Sequence, residues 1–479
     1  MASREPDARP KDGHLASALH AEPRRARVLV TGAYGFIGAH IVRALQVEGV
    51  DVVGAGRDLR LGRRLLPDIA WIACDFNEDL APGAWPSRLV GIDAVVNTVG
   101  ILQSTARDDA NRIHAVATSA LFEACRRAGV KRLVHVSAMS AETGVATGYA
   151  ASKLAAEAAL EALDVNRAGV ALQQPAPPPL AWVIVKPSLV VGAGSYGGTS
   201  LIRGLAGLPG LIPVPAPGTA TLQPIAMADL ATGIARLASG FAGNQPWPNR
   251  QTLYAAGPER LTVAQIVPRV RRWLVFGSAR VVLVPRVLMT PALWLGDWLG
   301  WLGTPSALRS TALQQLDGMS DADPAPFAAA TGLALKRLEQ ALGQHAATLQ
   351  DRQHARLFFV RPLLQGSIAL FWIATGVMAL LPGPAASARA LITAAGFDDT
   401  LAGWCVRLGA LADMGLGLAF LNAAWTRPAG LLQIALSLGY LGAITAINPG
   451  LWLDPLGPLM KVLPIVAAIV TVMALAEKR

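Results

Sequence analysis

Hydrophobic positions along the chain fall into two regimes. From residue 27 to about 240, short β-branched runs alternate with alanine-rich stretches whose apolar residues recur at helical spacing. "RVLVT", "DVVGAG", "DAVVNTVG", "RLVHVSA" and "AWVIVKPSLVVG" read as buried strands, and "GAHIVRALQVEG" and "ATSALFEACRRAG" as helices that end in glycine. Strands alternating with helices of this length predict βαβ units and an α/β, doubly wound parallel sheet. The pattern loosens between about 190 and 318, where Gly and Pro are frequent, and a substrate-covering subdomain is expected there.

The second regime is lipid-like. Four apolar segments, at 362–381, 408–425, 429–448 and 456–476, each approach the ~20 residues needed to cross hydrocarbon. Pro382/Gly383, Arg427/Pro428 and Pro449/Gly450 lie in or beside the connections. The expectation is an all-α bundle of four transmembrane helices. A polar, charged stretch at 335–356 reads as a connecting helix. The divisions are thus a disordered tail at 1–26, a dinucleotide-binding and substrate unit at 27–318, a connecting helix at 319–356 and a membrane domain at 357–479. Residues 172–180, "LQQPAPPPL", read as a proline-rich surface loop.

Composition sharpens this division. Charged residues make up 15% of the chain, and only 12 of the 74 lie from residue 357 onward, against about 25% in ordinary soluble domains. Arg352, Arg356, Arg361, Arg427, Lys478 and Arg479 fall on one side of the four segments. Arg389, Asp398, Asp399, Asp454 and Lys461 fall on the other. The basic excess predicts that both termini and the globular part are cytoplasmic, on a multi-pass inner-membrane protein. Trp372, Trp404, Trp425 and Trp452 are candidate interface anchors.

Net charge is +10, but no basic block with interleaved aromatics occurs, so nucleic acid is not an expected partner. Cys74, Cys125 and Cys405 are far apart and form no metal spacing; no metal is expected, and a reducing compartment is. The first 26 residues lack an apolar stretch of signal-peptide type. "PALWLGDWLGWLG" puts Trp294, Trp298 and Trp301 on one helical face, either as core or as an interfacial helix. Asp413 lies within the second apolar segment. Six residues separate it from Arg407, the wrong spacing for an intrahelical pair, so it either pairs with another helix or belongs to a polar site.

Candidate chemistry begins after the first strand. In "TGAYGFIG", Gly32, Gly35 and Gly38 sit between a strand and an amphipathic helix, where backbone N–H groups can approach a pyrophosphate. Thr31, Tyr34, Phe36 and Ile37 complete that candidate cradle. The second strand ends in "GAGRD". Arg57 stands where an NAD-preferring site usually carries an acid, and its guanidinium could pair with a 2′-phosphate; Asp58 beside it keeps NAD open. NADP(H) is therefore expected in preference to NAD(H). Asp75 in "CDFNEDL", followed by Phe76, is suitably placed for an adenine amino group. Asn97 and Gly100 in "VNTVG" lie where the backbone passes close to a cofactor.

The sharpest chemistry lies in "HVSAMSAETGVATGYAASK". Tyr149 and Lys153 are four apart and share a helix face. A lysine ammonium favours the phenolate and is expected to lower the Tyr149 pKa from about 10. Ser137 is expected to hold a substrate oxygen near Tyr149, with Ser140 as the alternative. Together these residues would move a proton at an alcohol or carbonyl oxygen, coupled to hydride exchange with nicotinamide.

The glycine pattern, "VNTVG", Ser137, "YAASK" and "KPSLVVG" together resemble an extended or atypical short-chain dehydrogenase/reductase of the epimerase/dehydratase kind. "VVNTVGIL", "AGVKRLVHVSA" and "QPIAMADLA" are similar to the group related to the dehydrogenase-like accessory subunit of respiratory complex I. That likeness covers about 27–310. The apolar C-terminal part resembles a DoxX-like four-helix membrane domain. The resemblance implies a Rossmann-like fold, a Ser137–Tyr149–Lys153 triad, glycines 32, 35 and 38 in the dinucleotide motif and Pro187 at the cofactor. Lys186 departs from it, standing where relatives usually carry Arg before Pro-Ser, and so does Ala138, where many carry Ser.

The leading expectation is a membrane-anchored NAD(P)-dependent oxidoreductase acting on an amphiphilic substrate such as a quinone or lipid carbonyl. The alternatives are a cofactor-binding assembly or sensor subunit of a respiratory membrane complex, and a nucleotide-sugar epimerase or dehydratase.

Overall fold

The computed structural model describes residues 25–101, 104, 108–142, 147–165, 179–241, 246–301, 310–317, 321–455 and 457–476. The tail at 1–24, most of the proline-rich loop and the last three residues lie outside them.

In chain order the first unit comprises β1 (Arg27–Thr31), α1 (Gly38–Val47), β2 (Asp51–Gly56), α2 (Leu59–Leu65), β3 (Ala70–Ala73) and β4 (Ala94–Asn97). It continues through α3 (Thr118–Arg127), β5 (Arg132–Val136), α4 (Gly148–Val165), β6 (Ala181–Pro187), β7 (Val190–Val191) and α5 (Gly198–Gly207). Then follow β8 (Leu211–Pro215), β9 (Thr221–Leu222), β10 (Ile225–Ala226), α6 (Met227–Ser239), β11 (Gln251–Ala255), β12 (Leu261–Thr262) and α7 (Val263–Trp273).

Seven strands form one sheet in the order β11-β6-β5-β4-β1-β2-β3, every pairing parallel. The alternation of the strands assigns each face its own core. Val28 and Val30 of β1 point into a cluster with Ile41, Val42 and Leu45 of α1 and Leu230 and Ile234 of α6. Leu29 between them points into the opposite cluster, with Leu121 and Phe122 of α3 and Ala156 and Leu160 of α4. Strand order reverses between β1 and β4, which opens a crevice beyond their C-terminal ends.

The irregular region resolves into short pairs, β10 with β7 and β12 with β9, while β11 joins the main sheet beside β6. Its loose pattern reflects strands of two residues, too short to establish a period. Beyond it come β13 (Arg280–Val284), which pairs with β8, and α8 (Arg286–Trp301), α9 (Ser310–Asp317), α10 (Ala325–Thr331) and α11 (Leu338–Gly343).

The globular packing continues past residue 318. Phe327 of α10 is wholly buried in the first cluster, and Leu338 and Leu342 of α11 join a third with Ile202, Val267 and Val270. The stretch expected as one connecting helix is instead broken into α10, α11 and the start of a much longer helix, α12 (Leu349–Leu380). Thr348 caps α12 by accepting the Asp351 N–H at 3.2 Å, while Asp351 reaches back to the Thr348 N–H at 2.9 Å.

α12 carries 32 residues, polar in its first third and apolar thereafter. With α14 (Asp399–Leu421) and α15 (Thr426–Ile447) it gives three described helices long and apolar enough to cross a membrane. Two features differ from the four-span expectation. α13 (Pro382–Ala394) fills the first connection, and the last apolar segment forms α16 (Val462–Leu475), only 14 residues long because its beginning turns before the helix starts.

α12, α14, α15 and α16 pack in a ring. Gly376 lets α14 approach: a Cβ there would stand 2.5 Å from the Ala410 carbonyl oxygen. Trp372, expected as an interface anchor, is buried inside the bundle with Phe420 and Ile469, whereas Trp404 and Trp425 are exposed. Asp413 faces Tyr440 of α15, whose hydroxyl lies 3.5 Å from it, so its partner is on another helix. The Arg407 guanidinium lies instead over the Trp404 ring.

Candidate active site

The glycine loop follows β1 at the crevice. Gly32 has φ +70°, a left-handed conformation natural to glycine, and its carbonyl accepts the Gly35 N–H at 2.8 Å. At Gly38, the first residue of α1, a Cβ would overlap the Gly32 carbonyl and press Thr98 Oγ1 at 2.9 Å. The loop is thus folded so tightly that its backbone is the lining surface, as a dinucleotide pyrophosphate requires. Tyr34 lies against Gly56 at the end of β2, and its hydroxyl accepts the Asp58 N–H at 3.1 Å. Phe36 packs on Tyr196 and His40, with ring centroids 6.3 and 6.4 Å away.

Thr31 and Asn97 are wholly buried at the ends of β1 and β4. The Thr31 hydroxyl donates to Asn97 Oδ1 at 2.7 Å, and the Asn97 amide reaches Thr118 and His135. Both side chains tie strands together rather than lining the crevice. Phe76 likewise belongs to the core, edge-on to Trp85.

α4 presents Tyr149 and Lys153 to the same crevice. Thr147 starts the helix by accepting the Ala150 N–H at 3.1 Å. Lys153 Nζ donates to the Val136 carbonyl at 3.2 Å. It also faces Gly100, where a Cβ would lie 3.2 Å from Nζ and 3.4 Å from His114 Nε2. α4 and the loop after β4 therefore meet closely at Gly100, where a side chain would press on the Lys153 ammonium.

The electrostatics differ from the expected pattern. Burial pushes the Tyr149 phenol up, and its neighbour Tyr196 adds to this; no acidification by Lys153 emerges. Burial lowers Lys153 to about 8, with Glu157 opposing. Loss of hydration moves each group toward its neutral form, raising the phenol and lowering the ammonium. Tyr149 thus stands as a neutral phenol, a proton donor.

Ser137 does not point its hydroxyl at Tyr149. It donates to Glu157 Oε1, and the second Glu157 oxygen pairs with Lys186 Nζ at 2.8 Å. All three side chains are buried. Lys186 thereby explains its own presence before Pro187: it neutralises a carboxylate that would otherwise be isolated beneath the site. Ser140 is half-buried in the turn Met139–Ala141, while Met139 and Ala141 are buried.

Residues 28–205 match the NAD dependent epimerase/dehydratase family, and residues 369–470 match the DoxX-like family. The first match falls on the unit built around the seven-stranded sheet, from β1 to α5, and the second on the apolar helices from α12 to α16. It is 30% identical over 178 residues to a ceramide reductase of Caulobacter vibrioides, covering 36% of this chain and 49% of that protein. The chain therefore spans about half the length of this curated relative. Among solved structures, gox2253 aligns with a TM-score of 0.50 at 18% identity, over 69% of this chain and 99% of that one. The triphenylmethane reductase of Citrobacter sp., complexed with NADP(H), aligns with a TM-score of 0.48 at 16% identity, over 66% and 99%.

At the end of β2, Arg57 pairs with Asp108 at 2.5 Å, and Asn77 Nδ2 donates to the same carboxylate at 2.8 Å. Asp58 caps α2 by accepting the Leu61 N–H at 2.9 Å. Asp75 accepts the Asn77 N–H at 3.0 Å, which shapes its own turn. Asp108 follows the fourth strand by eleven residues and carries no local motif, so only the fold brings it to Arg57.

His114 was equally hidden in the sequence. A π-turn at Arg112–Ala117 carries it to Tyr149, ring edge to ring face at 5.5 Å. Its Nε2 accepts the Ile101 N–H at 2.9 Å, so the proton sits on Nδ1, which donates to Ser152 Oγ at 2.9 Å. Burial, followed by the Lys153 charge, pushes it down to about 2, and the ring is neutral. Glu157 did have a signal: with Tyr149 and Lys153 it completes an i, i+4, i+8 series on one helix face.

Proposed function

We propose that this protein is a membrane-anchored NAD(P)-dependent oxidoreductase that reduces a carbonyl of a lipid-soluble substrate. The observation that carries this reading is the meeting of Lys153, His114 and Gly100 beside Tyr149, at the open end of the strand crevice. The glycine loop fits a dinucleotide because its backbone lines the cleft with no side chain in the way. A nicotinamide bound there supplies hydride to the substrate carbon. Tyr149 delivers the proton to the carbonyl oxygen, starting as the neutral phenol that burial favours. Lys153 remains largely ammonium at neutral pH and stabilises negative charge on that oxygen and on the phenol as the proton leaves. Thr147, Ser152 and His114 hold the first turn of α4 so that both groups keep their direction.

The lipid class of the substrate is supported by the fused membrane helices and by the partial likeness to a protein named for ceramide reduction. NADP(H) is the preferred cofactor in this reading, with Arg57 exchanging Asp108 for the 2′-phosphate. The Arg352, Arg356 and Arg361 cluster at the mouth of the first span supports a cytoplasmic position for the catalytic domain, on the inner membrane.

The test uses the full chain in detergent micelles. Titration with NADPH and NADH measures binding. A long-chain lipid ketone should then be reduced at the expense of NADPH, and Tyr149→Phe should abolish turnover while leaving nucleotide binding intact. If NADPH binds but no long-chain ketone or quinone is reduced, the reading fails.

A further inference from the structure

Residues 261–296 include five arginines and no carboxylate. The second half of that stretch forms β13 and most of α8, whose one carboxylate, Asp297, follows it, and its apolar side chains are turned outward. Val287, Leu288 and Trp294 are 79%, 71% and 69% exposed, with Leu283 and Leu295 also exposed; among the described side chains of α8, Leu293 is the large apolar one that is buried. Trp298 and Trp301 lie outside the described side chains. The register Arg280↔Leu211 adds exposed Leu211 from β8 to the same strand pair. Each such side chain kept in water forgoes the stabilisation that burial brings, and a contiguous outward patch of this kind marks a contact surface.

We propose that β13 and α8 lie in the headgroup–acyl boundary of an anionic bilayer, as a second, non-spanning contact beside the membrane helices. Two observations choose this occupant. The first is continuity with the spanning helix. Phe276, four residues before β13, has the Arg352 and Arg356 guanidiniums over its ring at 5.5 and 5.0 Å. Trp273 Nε1 donates to the His345 carbonyl at 2.8 Å. Gly207, four residues before β8, meets α12 so closely that a Cβ would stand 2.5 Å from the Ala355 carbonyl oxygen. Both strands therefore start beside the part of α12 that lies one to two turns before its apolar stretch.

The second observation is charge. Arg272, Arg280 and Arg286 are exposed around the apolar side chains, with no carboxylate between 261 and 296 to repel lipid phosphates. Apolar residues ringed by arginine suit the boundary of an anionic leaflet. At 16 residues, with Pro291 inside it, α8 is about 24 Å long and too short to span.

The placement connects to the site. α8 packs on α9, and α9 packs on the turn Met139–Ala141 that follows Ser137. A cavity of about 410 Å³ lined by Val214, Pro215, Thr221, Val263, Arg286 and Asp321 lies at the root of α8. If the proposed reductase reading holds, an amphiphile leaves the bilayer at α8.

The test reads depth rather than turnover. In a Cys405→Ser background the remaining thiols are buried, Cys74 pushed up to about 12 and Cys125 higher still, and resist labelling. Leu288→Cys and Leu295→Cys carry an NBD fluorophore in the full chain, reconstituted in phosphatidylcholine–phosphatidylglycerol vesicles; Val47→Cys and Val90→Cys serve as controls. The expected result is blue-shifted emission, quenched by nitroxide lipid, at 288 and 295 and at neither control. Emission at 288 and 295 that matches the controls overturns the proposal, as does a shift that depends on protein concentration, which would assign the face to a second copy. A depth signal that persists while no carbonyl is reduced leaves the membrane contact standing and sinks the reductase reading instead.

Discussion

Glu157 joins Ser137 to Lys186: one carboxylate oxygen accepts the serine hydroxyl, and the other meets the lysine ammonium at 2.8 Å. The pair is buried between α4 and β6, so each charge depends on the other. Removing one partner strands a charge out of water, at a cost on the order of 3–5 kcal/mol. Lys186→Met should therefore lower the denaturation midpoint of the detergent-solubilised protein sharply. Lys186→Met combined with Glu157→Gln should recover most of the loss, because no uncompensated charge remains. Equal loss in the single and double variants would contradict this.

Tyr149→Phe removes the proposed proton donor and leaves the ring edge contact with His114 in place. Turnover should fall by about 10²–10⁴-fold. NAD(P)H affinity, followed by nucleotide fluorescence, should change little.

The pH dependence follows from Lys153. Burial sets its folded pKa at about 8, so between there and the unfolded value of about 10.4 the folded protein holds fewer protons than the unfolded chain. Stability should rise with pH through that window; below it the burial penalty of the charge is carried in full. Activity moves the other way, since the ammonium disappears above about pH 8. A falling limb of kcat/KM is expected there, and Lys153→Arg should shift it upward at reduced rate.

Gly38→Ala places a methyl group on the Gly32 carbonyl. The cradle must open to accept it, and nucleotide binding should be lost in a fluorescence titration. Gly83→Ala, where a Cβ meets nothing, is the matched control.

Asp108 competes for the guanidinium that the 2′-phosphate would use. Asp108→Asn should raise the ratio of NADPH to NADH affinity, and Arg57→Ala should lower it. Unchanged ratios in both would remove Arg57 from the specificity argument.

Local pattern carried much of this protein. The run of β-branched strands and glycine-closed helices determined the parallel sheet, because strand and helix periods are properties of neighbouring residues. The glycine loop, and Tyr149 with Lys153 on one face of α4, were legible for the same reason, as was the lipid-like character of the C-terminal part. The sequence could not say that Ser137 turns to Glu157, that Asp108 closes on Arg57 or that a π-turn brings His114 to Tyr149. Those partners lie 20, 51 and 35 residues apart and meet only when the sheet and its helices are assembled. Nor could it fix the acidity of Tyr149, because a pKa depends on how much water the fold removes and from which groups together. Tertiary structure likewise decided that the polar connection breaks after α10 and α11 and that only its last residues, from Leu349, continue into the first span, where packing against α5 holds the polar third of α12.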